Sequence, residues 1–528
     1  LLRRRGNMFL RDVTRELGIT VSPVRALEQK GLVRIMDAPE MRDPLANRMI
    51  LPTSPLPLTE EQDQALQVIT ATWEGRRSGN IDAAPWVVLL HGVTGSGKTE
   101  VYLQMIARVL DAGQGAIVLV PEISLTPQTV EQFVSRFGDQ VAVLHSHLSD
   151  GERYDEWHRI HAGDARIVIG ARSAVFAPVR DLGIIIVDEE HETSYKQEES
   201  PQYNARDIAV MRSQFNKCVS VLGSATPSLE SWVNATRGKY KLALLKRRVD
   251  DCRMPVVRVV DMRVEAQQTG HVSVLSKELA SAIGERLARA EQTMLFLNRR
   301  GFATSLVCLK CGYAAECDQC SVAHTYHRHD ETLRCHLCGA MKCVPPKCPA
   351  CGNPAFKFSG IGTQRVERIV QKFFPHAKIR RMDADATTQK DSYDQILGDF
   401  RAGRIDILIG TQMIAKGLHF PNVTLVGVVY ADLSLHMPDF RAGERTFQLL
   451  AQVAGRAGRG HLSGEVIIQT YTPHHEAVQA ARRTDYAGFC EQELEFRKEL
   501  NYPPYTHLVC LTISGVSQDK VSFCINSL

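Results

Sequence analysis

Gly92-Val93-Thr94-Gly95-Ser96-Gly97-Lys98-Thr99 is the stretch that decides the fold. It fits G-x-x-x-x-G-K-[ST], and it stands where that pattern has physical meaning. The apolar run Trp86–Leu90 before it has the length of a buried strand, and Glu100–Leu110 after it has helical spacing. Glycines let the backbone wrap so that its N–H groups point at phosphates, and the start of the helix adds partial positive charge. Gly92, Gly95 and Gly97 would shape this cradle, Lys98 would reach the β- and γ-phosphates of ATP, and Thr99 would ligate Mg²⁺.

Outward from the loop, short apolar runs alternate with helical stretches at Ala116–Val120, Arg166–Ile169, Gly183–Val187 and Val219–Leu222. The rhythm returns at Thr293–Leu297, Ile405–Ile409, Thr424–Val429 and Glu465–Gln469. Strands alternating with helices predict parallel sheets, and two such series predict an α/β protein with two lobes. Carboxylates at the carboxyl end of a strand sit where such sheets hold ligands. Asp188-Glu189-Glu190-His191 follows Gly183–Val187, so Asp188 is expected to hold Mg²⁺ and Glu189 to polarise the attacking water. In Gln452–Arg459 two arginines, Arg456 and Arg459, lie on glycine-spaced backbone without acidic neighbours. They are expected to enter from the second lobe and to stabilise charge on the transferring phosphoryl.

Between the two series the periodicity disappears and cysteine takes over. Nine of the 14 cysteines lie between Cys308 and Cys351, and eight of them form the pairs Cys308/Cys311, Cys317/Cys320, Cys335/Cys338 and Cys348/Cys351. Such pairing predicts thiolate ligation of metal in a reducing cytosol, with eight ligands making two Cys₄ zinc sites. Spacing permits three ways of combining the pairs. Cys343 is left over, with His324, His327 and His336 nearby. A closed four-thiolate site has no open position, so both sites read as structural. The insertion stands apart from every ATP motif in sequence, which predicts a role in strand separation or partner docking rather than in hydrolysis.

The remaining features bound the reading. A chain of 528 residues exceeds one hydrophobic core. Its net charge of +4, from 63 basic and 59 acidic residues, permits a nucleic-acid partner without demanding one. No apolar run approaches the about 18 residues of a membrane span, and no secretory signal opens the chain. Because the sequence opens at Leu1 and stops in what reads as mid-domain, a fragment is expected. Leu10, Val13 and Leu17 have helical spacing that Gly18 closes. A second helix from about Ser22 runs to Gly31, and Leu32–Ile35 is strand-like; helix, turn, helix and strand predict a winged-helix module. Pro52–Pro57 reads as a linker. The expected division is a winged-helix-like module at 1–52, a first lobe at 53–290, a second lobe at 291–475 with its zinc insertion at 304–358, and the start of a truncated C-terminal domain at 476–528.

Taken in order, Pro121-Glu122-Ile123-Ser124-Leu125-Thr126-Pro127, Gly170-Ala171-Arg172-Ser173, Gly223-Ser224-Ala225-Thr226-Pro227 and Gly410-Thr411-Gln412-Met413-Ile414-Ala415-Lys416-Gly417 fill the remaining motif positions of superfamily 2 helicases. The wording of Gly92–Glu100 and of Leu295–Phe302, with the four cysteine pairs, resembles the bacterial replication-restart helicases of the primosomal protein N′ family. The resemblance implies two RecA-like lobes and a cytoplasmic 3′→5′ DNA helicase that acts at stalled or abandoned forks and initiates primosome assembly. It implies single-stranded and forked DNA, a single-stranded-DNA-binding protein, primosome components and the machinery that loads the replicative helicase as partners. By the same resemblance Gln62 is the adenine-reading glutamine, and Ser194–Ala209, with Tyr195, Lys196, Tyr203 and Arg206, is the aromatic-rich loop that couples single-strand binding to hydrolysis. It also implies nested metal ligation, with Cys308, Cys311, Cys348 and Cys351 on one ion and Cys317, Cys320, Cys335 and Cys338 on the other. The family's N-terminal domain, which grips a nascent 3′ end, is expected to be missing from this stretch. Its C-terminal domain is expected to begin near Tyr471 and to be cut off at Leu528.

Two other readings share parts of this pattern. The ATPase motifs also suit an RNA helicase or a duplex translocase, and the cysteine pairs argue against these. A zinc-stabilised scaffold with little unwinding would not need Lys98, Asp188, Glu189, Arg456 and Arg459 together.

Overall fold

The computed structural model describes residues 1–2, 8, 10–36, 50–78, 85–122, 126–146, 148–249, 255–269, 273–297, 306–308, 310–327, 331–353, 356–358, 362–383, 392–411, 414, 420, 422–457, 464–511 and 513–527. Two parallel sheets organise the chain. The first comprises β1 (Val87–Gly92), β2 (Gly115–Leu119), β3 (Val141–Leu144), β4 (Ile167–Gly170) and β5 (Leu182–Asp188); then, beyond a small ribbon of β6 (Lys196–Gln197) and β7 (Tyr203–Asn204), come β8 (Val219–Ser224) and β9 (Lys241–Leu245). The spatial order is β3-β4-β2-β5-β8-β1-β9, and every pairing is parallel.

This sheet is covered on both faces, which explains why its strands are continuous apolar runs rather than alternating ones. Side chains point alternately up and down. Val88 and Leu90 pack with Leu66 and Ile69 of α1 (Glu60–Arg77) and with Met105 and Ile106 of α2 (Lys98–Asp111). Val87 and Leu89 pack on the other face with Ala205 and Ala209 of α3 (Ala205–Phe215) and with Ala235 of α4 (Leu229–Thr236).

The second sheet comprises β10 (Val256–Asp261), β11 (Gln292–Phe296), β17 (Ile379–Met382), β18 (Ile407–Gly410), β19 (Val423–Val428) and β20 (Glu465–Thr470), in the order β10-β20-β19-β11-β18-β17. It too is parallel throughout. Its first strand lies upstream of residue 291, so the expected division at 290/291 falls inside the second sheet's own elements; the parallel pairing of Val256–Asp261 with Glu465–Thr470 draws that strand in. At the other end, α6 (Glu476–Arg483) and α7 (Tyr486–Glu499) bury Val478, Ala481, Phe489 and Cys490 in the same cluster as α5 (Ala442–Ala454). The stretch expected to open a new domain at 476 therefore packs first onto the second lobe.

The cysteine-rich insertion leaves and rejoins this lobe through an antiparallel pair, β12 (Leu306–Cys308) with β16 (Phe356–Phe358). Inside it β13 (Thr325–His327), β14 (Thr332–Arg334) and β15 (Met341–Cys343) form a small antiparallel sheet. At the N-terminus, helices cover Leu10–Leu17 and Val21–Gln29. The strand expected at Leu32–Ile35 is not formed among the described residues, because the Ile35 amide donates to Glu28 Oε1 at 2.8 Å instead of to a partner strand. A winged helix is thus not shown. No helix among the described residues is long and apolar enough to cross a membrane.

Candidate active site and cysteine centres

In the first sheet β5, β8 and β1 are neighbours, so the turns that leave their carboxyl ends lie side by side. The turn after β1 is Gly92–Thr99. Gly95 and Gly97 hold φ of 83° and 76°, the left-handed backbone that glycine tolerates without steric cost. Lys98 and Thr99 are the first two residues of α2, which places them at the helix end that favours anions. The Lys98 ammonium donates to Gly92 O at 2.8 Å. Gln62 is buried beneath the loop. Its Nε2 donates to Ser96 O at 2.9 Å and its Oε1 accepts from the Thr59 amide at 2.9 Å, so both ends of the amide are engaged by the chain itself.

The turn after β5 divides its four polar residues between two directions. Asp188 accepts from the Tyr102 hydroxyl at 3.0 Å. Burial pushes its carboxyl up to about 6, with the charge of Glu189 adding and Lys98 opposing. Glu189 holds φ of 46°, a left-handed conformation rare for a side chain of this kind and typical of strained functional positions. Glu190 turns the other way and is buried. It accepts from the Ser228 amide and hydroxyl and the Ser231 hydroxyl, and it pairs with Arg206 at 3.2 Å. His191 Nδ1 lies 2.7 Å from Ser224 Oγ, which ties this turn to the one after β8.

The loop expected to couple DNA binding enters the site differently from its sequence pattern. Tyr195 is buried, and its hydroxyl lies 2.6 Å from Asp188 O and 3.0 Å from Leu119 O. Arg206 faces inward onto Glu190, Asp207 and Ser228. Lys196 is exposed, and Tyr203 is half-buried against Phe176 with the Arg172 guanidinium over its ring. Thus Lys196 and part of Tyr203 face outward, while Tyr195 and Arg206 hold the turn after β5.

The second lobe meets this site directly. Gly455, the first glycine of the arginine motif, packs against Thr94 so closely that a Cβ would fall 2.7 Å from Thr94 Cγ2. Arg248 spans the two, with Nε donating to Thr94 O at 3.1 Å and Nη2 to Gly455 O at 3.3 Å. Arg456 follows in the same turn, while Arg459 lies outside the described residues. Of the Gly410–Gly417 motif, Gly410, Thr411 and Ile414 are described, and Ile123–Leu125 and Asn298–Phe302 are not. Farther along the interface Glu444 Oε1 accepts the Leu229 amide at 3.0 Å, and Gln448 donates to Thr226 O at 3.4 Å. Tyr102, Arg248 and Glu444 carry no motif signal in the sequence; only their three-dimensional partners mark them.

The eight paired cysteines form two groups whose sulfurs lie within 4.8 Å of one another: Cys308, Cys311, Cys348 and Cys351, and Cys317, Cys320, Cys335 and Cys338. The nested combination is the one present. Sγ–Sγ distances of 3.6–3.7 Å match the edge of a tetrahedron with metal–sulfur bonds of about 2.3 Å, so each group could hold a metal ion. One turn builds all four pairs. The first cysteine's carbonyl accepts from the amide four residues on, at Gly312, Ser321, Gly339 and Gly352, and each of these four residues has positive φ. Cys343 is exposed, away from both groups.

The DEAD/DEAH box helicase family matches residues 59–234, and the helicase conserved C-terminal domain matches residues 360–461. Replication restart protein PriA of Bacillus subtilis (strain 168) is 50% identical over 503 residues, which cover 95% of this chain and 62% of that protein. The PriA of Treponema pallidum (strain Nichols) is 46% identical over 463 residues, covering 88% of this chain and 68% of that one. Thus the chain spans about three-fifths of the length of the first of these relatives. RecG bound to a three-way DNA junction shares the fold, with a TM-score of 0.50 at 17% identity over 90% of this chain and 50% of RecG. Two RecA-like lobes that meet at a phosphate loop, with two cysteine tetrads set into the second, are here joined to an identity of 46% across two thirds of a known relative, and the chain belongs to the replication restart protein PriA family.

Proposed function

We propose that this chain is an ATP-dependent 3′→5′ DNA helicase that acts at stalled or abandoned replication forks and initiates primosome assembly. One observation carries the reading: the arginine-bearing turn of the second lobe is seated on the phosphate loop of the first, Gly455 against Thr94 with Arg248 bonded to both. A nucleotide held there would touch two bodies at once, so its hydrolysis would change how they meet. That is the physical requirement for moving along a strand.

Within this reading Lys98 binds the β- and γ-phosphates, and Thr99 and Asp188 hold Mg²⁺, which supplies positive charge to the phosphate oxygens when bound. Glu189 orients the attacking water, and Arg456 and Arg459 neutralise charge that develops on the γ-phosphoryl. Gln62 supports the loop from beneath, and its amide keeps one N–H and one acceptor position with which to read adenine. Lys196 and Tyr203 are the members of the aromatic loop placed to meet a strand. Soft thiolate ligands in closed tetrahedral groups suit zinc, giving two structural Zn²⁺. The single-stranded-DNA-binding protein, primosome components and the helicase-loading machinery are the proposed partners, and the bacterial cytoplasm the proposed location.

The test is ATP hydrolysis measured side by side with single-stranded DNA, forked DNA and RNA, with Lys98→Ala as the control. Stimulation by both DNAs, little by RNA, and unwinding of the fork are expected. Equal stimulation by RNA would favour a general nucleic-acid translocase, and no stimulation by any of the three would favour a scaffold.

A further inference from the structure

The inner cysteine centre is linked to the lobe interface through Phe440. Phe440 packs on Cys317, Val322 and Cys335. Its ring stacks on Tyr502 at 4.9 Å and 18°, and the Tyr502 hydroxyl donates to Cys320 O at 2.8 Å. The guanidinium carbons of Arg441 and Arg497 stand 4.3 and 5.2 Å from the Phe440 ring centroid. Both arginines continue toward the ATPase. Arg441 pairs with Glu230 of the first lobe at 2.9 Å, three residues beyond Ser224-Ala225-Thr226-Pro227. Arg497, fully buried, pairs with Glu444 at 2.6 Å, and the other oxygen of Glu444 accepts the Leu229 amide of the first lobe. Burial alone would raise the Glu230 carboxyl, but Arg441 and Arg206 hold it down at about 2, so it meets Arg441 as a full charge. From Cys320 to Leu229 every step is a direct contact, although these two residues are far apart in sequence.

We propose that Phe440 and Arg441 are positioning residues that couple the folded inner cysteine centre to closure of the two lobes on nucleotide. The proposal rests on the ATPase reading above. It reverses the expectation, drawn from sequence separation, that the insertion stands apart from hydrolysis. The physical basis is that aromatic stacking and a desolvated ion pair each demand a fixed geometry, and Phe440 and Arg441 are adjacent in the chain. If the inner centre loses its fold, the platform beneath Phe440 goes with it, and Arg441 no longer arrives opposite Glu230.

Coupling between two sites is reciprocal, so lobe closure must protect the inner centre by the same factor that the inner centre favours closure. The experiment uses the full chain loaded with Zn²⁺ and follows transfer of each ion to a colorimetric chelator. Release is followed with and without a non-hydrolysable ATP analogue and oligothymidine. Nucleotide binding is read independently with a fluorescent analogue. Release of one ion, identified by its absence in Cys338→Ser, is expected to slow at least about fivefold on closure, while the other ion serves as an internal control. Phe440→Ala should abolish the slowing, and Phe440→Tyr should keep it. Arg441→Glu should abolish it and lower kcat with little change in KM for ATP; adding Glu230→Arg should restore both. A structural defect alone would not be rescued by that charge swap. Nucleotide binding with unchanged release of both ions in the wild-type chain would overturn the coupling alone, and absence of nucleotide binding would overturn the ATPase reading with it.

Discussion

The Glu190 carboxylate accepts two hydrogen bonds from Ser228, one from its amide at 2.6 Å and one from its hydroxyl at 3.0 Å. With Ser231 and Arg206 also bound to it, the second glutamate of the Asp-Glu-Glu-His turn is a buried anchor for α4, not a reagent. Glu190→Gln is expected to destabilise the protein by about 2 kcal/mol, because it takes the charge from a buried acceptor of three hydrogen bonds and weakens its pairing with Arg206, which keeps Asp207. Glu189→Gln should leave the melting temperature almost unchanged and remove turnover. Thermal melts and hydrolysis rates on both variants check the division, and equal losses in the two would refute it.

Asp188 carries a cost of burial that the Asn variant escapes. Its folded carboxyl titrates at about 6, above the ordinary 3.8, so the folded state binds more protons than the unfolded state between those values. Stability of the metal-free protein should therefore fall as pH rises through this window. Asp188→Asn should show no such fall. It should melt higher above pH 6 by about 1–3 kcal/mol, lose that advantage below pH 4, and hydrolyse no ATP. By the same logic, Mg²⁺ affinity of the wild type should drop below pH about 6, where a proton competes for the carboxylate. A flat stability difference across pH would show that desolvation of Asp188 is not the cause.

Gly455→Ala places a methyl group against Thr94 at the meeting point of the lobes. The clash is with the other lobe, and the neighbouring core residues Val453, Ala454 and Ala457 keep their packing, so the melting temperature should move little. Hydrolysis should fall at least tenfold, because the following arginines would be held away from the phosphate loop. Retention of wild-type turnover would mean that the two turns separate during catalysis.

Ser321 ends the knuckle of Cys317 and Cys320 at φ of 49°, where the other three knuckles use glycine. Ser321→Gly should relieve about 1 kcal/mol of backbone strain. Slower metal release from the inner centre, with the outer centre unaffected, is the expected reading.

The interior of the fold was legible in the sequence and its margins were not. β1, β2, β4, β5 and β8 of the first sheet and β11, β18, β19 and β20 of the second read as apolar runs, because helices cover both faces of each. The four strands that escaped notice, β3, β9, β10 and β17, are the edge strands of the two sheets. At an edge the pattern weakens: β9 and β10 mix Lys241, Leu244, Val256 and Arg258 at exposed or half-buried positions, and β17 carries Arg380 and Arg381 between its two apolar residues. The phosphate loop and cysteine pairs were legible because spacing alone fixes their chemistry. The pairing of the cysteines was not, and neither was the direction of Tyr195 or Arg206. A loop's composition lists aromatic and basic groups without saying which of them turns inward to meet a carboxylate sixteen residues earlier.

Tyr195 has a further consequence for how a bound strand could be sensed. Its single hydroxyl hydrogen is shared between the last carbonyls of β2 and β5, at Leu119 and Asp188. Phenylalanine would fill the same space and keep the ring packed, yet it would leave both carbonyls without that donor. One oxygen atom of the outer loop therefore ties together the carboxyl ends of two neighbouring strands, the second of which ends in Asp188 itself.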